Sequence, residues 1–133
     1  MEILEIKQTE KQLDVREAML SGSKIVMACI NDSFFNDISA TNLKIVNANL
    51  SDLEIEGAQL GGAYMHNIGM PPEDHPAYDP NAKQRPLKFE NCDLNGSTIT
   101  NCDLSNIAIT DSNIEGMTIN GLLVSNLLAG HKA

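Results

Sequence analysis

The chain has 133 residues, of which 42% are apolar but only 4% aromatic, with no Trp and a formal charge of −9. That length fits one domain able to bury a core, and a core without large rings has to be built from Leu, Ile, Ala and other small residues. The acidity argues against direct nucleic-acid binding, which needs Lys and Arg to displace phosphate counterions, and no stretch approaches the roughly 18–20 apolar residues of a membrane span.

The opening MEILEIKQTEK has no basic segment followed by an apolar run, so it does not read as a secretory signal. Three cysteines, Cys29, Cys92 and Cys102, are an odd and sparse set that fits a reducing cytoplasm better than a disulfide framework. The expected location is cytoplasmic. Residues 1–12, with Ile3, Leu4 and Ile6, are the expected N-terminal cap.

From residue 13 to residue 70 the chain repeats every five residues. Val15, Leu20, Ile25, Ile30, Phe35, Ala40, Ile45, Leu50, Ile55, Leu60, Met65 and Met70 are all apolar. The position two residues earlier, from Leu13 and Ala18 through Leu53 and Ala58 to Ile68, is apolar or Ser. Spacing of two places both on one side of an extended segment, so each unit is expected to point two side chains inward. Two residues after the central apolar position stand Glu17, Gly22, Met27, Asp32, Asp37, Asn42, Asn47, Asp52, Gly57, Gly62 and Asn67. Most are Gly, Asn or Asp, which tolerate positive φ or bond to their own backbone in turns, so these are expected corners.

Residues 71–86, PPEDHPAYDPNAKQRP, hold all five prolines and abandon the period. Proline cannot donate to a sheet ladder, so this stretch is expected to be a loop thrown out of the repeat, without structure of its own. The repeat resumes over 87–126, one residue out of phase. Its central positions run Phe89, Leu94, Ile99, Leu104, Ile109, Ile114, Ile119 and Val124, and its corners Asn91, Gly96, Asn101, Asn106, Asp111, Gly116, Gly121 and Asn126. Asn95-Gly96 and Asn120-Gly121 would elsewhere suggest hairpins. Because they fall in phase with the repeat, the expectation is corners and no hairpin, and the five-residue period also argues against helices. Residues 127–133 are the expected C-terminal cap.

Two inward residues and a corner in every five resemble the pentapeptide-repeat family, whose motif is often written A-(D/N)-L-x-x. Ala48-Asn49-Leu50, Ala58-Gln59-Leu60, Cys92-Asp93-Leu94 and Cys102-Asp103-Leu104 carry the likeness best, which extends over about residues 13–126. The resemblance implies an all-β fold, a right-handed quadrilateral parallel β-helix with four pentapeptides per coil. Twelve units before the loop and eight after it would make about five coils, coils 1–3 over 13–70 and coils 4–5 over 87–126, in one domain. Coils spaced by about 4.8 Å would form a body about 24 Å long. In such a helix Ala18, Ile38, Ala58, Cys92 and Ser112 would stack as one inward column, with Cys92 and Cys102 acting as small core residues.

No catalytic constellation stands out, and no enzyme, cofactor or metal is expected. His66, Glu73, Asp74, His75 and Asp79 cluster in or beside the loop, but their spacing matches no metal-ligand motif. Stacking by coil would gather an acidic face including Asp37, Asp52, Glu54, Glu56 and Glu90. Another face would carry a mixed apolar–basic strip of Lys24, Val26, Lys44, Val46, Tyr64 and His66, with Asp74, His75 and Tyr78 of the loop beside it. The strip and loop are the expected partner-binding surface, and the partner is an unidentified protein. Leu123, Leu127 and Leu128 either cover the end of the core or form a homodimer contact, as C-terminal ends do in gyrase-binding members of the family. The leading expectation is a non-catalytic interaction or scaffold module. The alternative, suggested by acidic family members such as the quinolone-resistance proteins, is a DNA mimic that inhibits or protects a type II topoisomerase (DNA gyrase). Charge weighs against it, since ~24 Å of duplex carries roughly 14 phosphates and the whole chain nets −9.

Overall fold

Corner conformation follows the register that the five-residue period sets. In a computed structural model that describes residues 2–131, every expected corner from Glu17 to Asn67 and from Asn91 to Gly121 has positive φ, with Met27 at 53°, Asn42 at 61° and Gly96 at 74°. Positive φ costs an L-residue roughly 1–2 kcal/mol unless it is Gly or a short polar residue, which is why Gly, Asn and Asp dominate here. Glu17 and Met27 adopt the same conformation without that excuse.

The corners are of two kinds, and they alternate. At one kind a backbone N–H bonds to the carbonyl three residues back: Ser23 to Leu20 at 3.1 Å, Leu43 to Ala40 at 3.2 Å, Ser97 to Leu94 at 3.0 Å and Ile107 to Leu104 at 3.2 Å. Positive φ at the third turn residue but not at the second makes these type II turns. The other kind, at Met27, Asn47, Asn91 and Asn101 among others, is a bend without that bond.

The chain divides into two units, Met1–Gly61 and Gly62–Ala133. In the first, the described residues form neither strand nor helix, and all of them are exposed. In the second, the repeat runs into a two-stranded antiparallel hairpin, β1 (Thr118–Ile119) and β2 (Leu122–Leu123), with Thr118 opposite Leu123 and Ile119 opposite Leu122. A short helix, α1 (Val124–Ala129), comes directly after it and ends at Gly130. Val124 keeps 9% of its surface and is the buried apolar residue of the described chain. Its N–H bonds to the Met117 carbonyl at 2.9 Å, and Met117 and Ile114 are half-buried.

These observations correct the expected fold. A quadrilateral β-helix of about five coils needs parallel ladders between successive coils and two buried columns. Among the described residues the strands are β1 and β2 alone, antiparallel to each other, and contacts between residues distant in sequence are few. The inward columns are open: Leu13 keeps 65% of its surface exposed, and the small column of Ala18, Ile38, Ala58, Cys92 and Ser112 is exposed throughout. The accessible surface of 14846 Å² is about twice the roughly 7,000 Å² that a compact fold of this mass leaves. The physical reason lies in what a repeat encodes. Corner residues fix local φ, whereas closing a coil requires every corner angle and the intervening ladder together. Those non-local terms are not written in a five-residue motif.

Further corrections sit at the C-terminal end and in the loop. Asn120-Gly121 does form a hairpin, since both residues have positive φ, at 48° and 80°, the type I′ pattern that matches strand twist. The helix α1 replaces the expected corner at Asn126. The loop has structure of its own, with Pro76 and Pro80 each second in a turn, closed by Tyr78 N–H to the His75 carbonyl at 2.9 Å and Ala82 N–H to the Asp79 carbonyl at 3.1 Å. Proline's fixed φ suits that place. Of the two end caps, Met1, Lys132 and Ala133 lie outside the described residues.

Candidate functional site

The side chains that close the corners form a chemical pattern of their own. In the second unit Asp93, Asp103 and Asn113 precede the central apolar residue, and each side-chain oxygen accepts the backbone N–H two residues on. Asp93 accepts from Asn95 at 3.0 Å, Asp103 from Ser105 at 2.9 Å and Asn113 from Glu115 at 3.0 Å. Asn49 does the same for Ser51 in the first unit at 3.1 Å. Such Asx caps hold the entry to these four type II turns. The bends are closed differently. Cys92, Cys102 and Ser112 each come just after a bend and donate to the carbonyl two residues back, at 3.3, 3.4 and 2.8 Å. The two cysteines are therefore exposed free thiols turned onto their own backbone, and not core residues.

This alternation has a period of ten. It is visible in the sequence as Asn91-Cys-Asp-Leu-Asn95, Asn101-Cys-Asp-Leu-Ser105 and Asp111-Ser-Asn-Ile-Glu115, a signal that the five-residue count alone passes over. Asp103, like Asn49, accepts a second bond from the serine of its turn. The Ser105 hydroxyl donates to Asp103 Oδ1 at 2.6 Å, and this bond, reinforced by the Ser105 N–H, holds the Asp103 carboxyl below the usual carboxylate range.

Of the expected contact strip, Tyr64 and His66 come together. Their rings stack with centroids 4.2 Å apart and 12° between planes, and Asn67 Nδ2 lies 3.3 Å from His66 Nδ1. Tyr64 is 81% exposed in this arrangement, so the stacked pair presents an aromatic face to solvent. No hydrogen bond, ion pair or ring contact joins Lys24, Val26, Lys44 and Val46 to one another among the described residues, and Val26 and Val46 are exposed. In the loop, His75 Nδ1 accepts the Ala77 N–H at 3.0 Å, while Tyr78 packs more closely than Tyr64, at 39% exposure. Asp74 is exposed beside them.

The acidic residues Asp37, Asp52, Glu54 and Glu56 of the first unit and Glu90 of the second are all exposed. Glu90 pairs with Lys88 at 2.7 Å, and the hydrogen bond from Lys88, then its charge, lowers the Glu90 pKa. Among the described residues no group of three His, Cys, Asp or Glu side chains converges, and no helix is long and apolar enough to cross a membrane. Leu123 lies at the end of β2, with Leu127 and Leu128 on α1, all exposed. No family model, curated protein or solved structure matches the chain.

Proposed function

We propose that this chain is a non-catalytic protein-interaction module whose partner is a protein. The observation that carries the reading is the exposure of its periodic apolar residues, such as Leu20, Ile25, Ile45, Leu50, Leu94 and Ile99, on backbone fixed at every fifth residue by a positive-φ corner. Exposed apolar surface on this scale marks contact with another macromolecule. Tyr64 and His66 add an aromatic pair next to the turn-rich loop at 71–86, and aromatic side chains supply much of the energy at protein interfaces. The sequence likeness to pentapeptide repeats supports the same reading, since that family is not generally catalytic.

The reading ties binding to named residues. Partners captured on the full chain should be lost when residues 71–86 are replaced by a short linker and Lys24, Lys44, Tyr64 and His66 are neutralised or truncated. A partner set unchanged by both alterations would refute it.

A further inference from the structure

We propose that Asn95 is a site of spontaneous backbone modification, in which the Asn95-Gly96 corner deamidates and isomerises to isoaspartate while Asn120-Gly121 is protected by the hairpin. The chemistry needs only water. The Gly96 amide nitrogen attacks Asn95 Cγ, the new C–N bond closes a five-membered succinimide, and the Cγ–Nδ2 bond breaks as ammonia leaves. Water then opens the ring at either carbonyl, giving aspartate or isoaspartate and adding one carboxylate to the chain.

Both Asn-Gly pairs meet the first requirement, a next residue without a side chain. The space where a Cβ would stand is open at Gly96 and at Gly121, and both asparagines are exposed. They differ in what holds the asparagine backbone. Ring closure demands that the backbone rotate away from its turn conformation. At Asn95 the restraints are a single turn bond, Ser97 N–H to Leu94 O at 3.0 Å, and the Asp93 cap on Asn95 N–H at 3.0 Å. At Asn120 the same rotation breaks the β1–β2 pairing, and it disturbs the strand next to Val124, whose N–H is held by Met117 O at 2.9 Å. Chemistry of a locally opened state tracks the population of that state, so the corner reacts and the hairpin resists. Other asparagines, among them Asn91, Asn101 and Asn106, precede residues with side chains, which hinder the attack.

The consequence is structural as well as electrostatic. Isoaspartate adds a backbone carbon inside a turn and displaces the Asp93 cap, so the five-residue spacing is lost at that corner.

The test is to warm the purified full chain at mildly alkaline pH and monitor each site by peptide mass spectrometry with fragmentation that separates isoaspartate from aspartate. Enzymatic methylation of isoaspartate gives an independent count. Asn95 should convert several-fold faster than Asn120, and Asn95→Ser should remove most of the methylatable isoaspartate. A Val124→Ala variant loosens the hairpin without touching either asparagine. It should accelerate Asn120 towards the Asn95 rate and leave Asn95 unchanged. Equal rates in the intact chain, an inert Asn95, or an Asn120 rate insensitive to Val124→Ala would each overturn the proposal.

Discussion

The dipeptide Asn-Gly occurs twice in this chain and takes two different backbones. At Asn95-Gly96 only the glycine has positive φ, and the pair sits in a type II turn within the repeat; at Asn120-Gly121 both residues do, and the pair turns a hairpin. The two pairs differ in the residue two positions earlier. Asp93 accepts the Asn95 N–H, whereas Thr118 stands at the equivalent place before Asn120 and belongs to β1, which pairs with β2. Past the turn, Leu122 and Leu123 pair with Ile119 and Thr118, and Val124 is buried. Identical turn residues therefore report less than their neighbours do.

The sharpest break of this comparison is to forbid positive φ in each turn separately. Gly121→Val places a β-branched residue at φ 80° and should cost the hairpin about 2 kcal/mol, read as loss of helical circular dichroism and faster amide exchange in α1. Gly96→Val should disturb only its own turn and leave α1 unchanged. Val124→Ala removes the buried side chain of the hairpin–helix segment and should cost about 1.5 kcal/mol, seen as roughly tenfold faster exchange at Val124 N–H, with no change at Ser97 N–H.

Exchanging the caps sharpens the account further. Asp93→Ala should speed exchange at the Ser97 amide by about threefold, the effect of one weak hydrogen bond. Thr118→Asp should pull Asn120 towards the type II conformation and weaken β1–β2 pairing, which the coupling constant of the Asn120 amide reports. The smallest effect is a pH dependence. The Asp103 carboxyl titrates below its ordinary value when its turn is formed. Its contribution is therefore fully present above the unfolded carboxylate pKa and is lost as pH falls through the lowered one. The Ser105 amide shift should track that acidic midpoint, and Ser105→Ala should move the midpoint upward towards an ordinary aspartate.

What the residues disclose and what they conceal divides along the same line. Corners are readable from Glu17 to Gly121 because positive φ is a local property with a narrow set of willing residues. The coil is not, because ladders and buried columns depend on contacts between residues far apart in sequence. Leu13 and Ile38 look like core by spacing and are exposed, since a periodic apolar row shows which side could be buried and leaves open what would cover it. The loop prolines have the look of breakers, yet Pro76 and Pro80 build turns. Of the candidate contact residues, Tyr64 and His66 are brought together by an i, i+2 relation within one extended stretch, while bringing Lys24 to Lys44 would require the absent coil.

Amide hydrogen exchange at single-residue resolution on the full chain tests the central claim most directly. The account predicts protection concentrated in 117–130, with the turn amides Ser23, Leu43, Ser97 and Ile107 weakly protected and the central repeat amides, such as Ile25, Ile45 and Ile99, exchanging freely. Strong and uniform protection at those central amides would demonstrate ladders between repeats and contradict it.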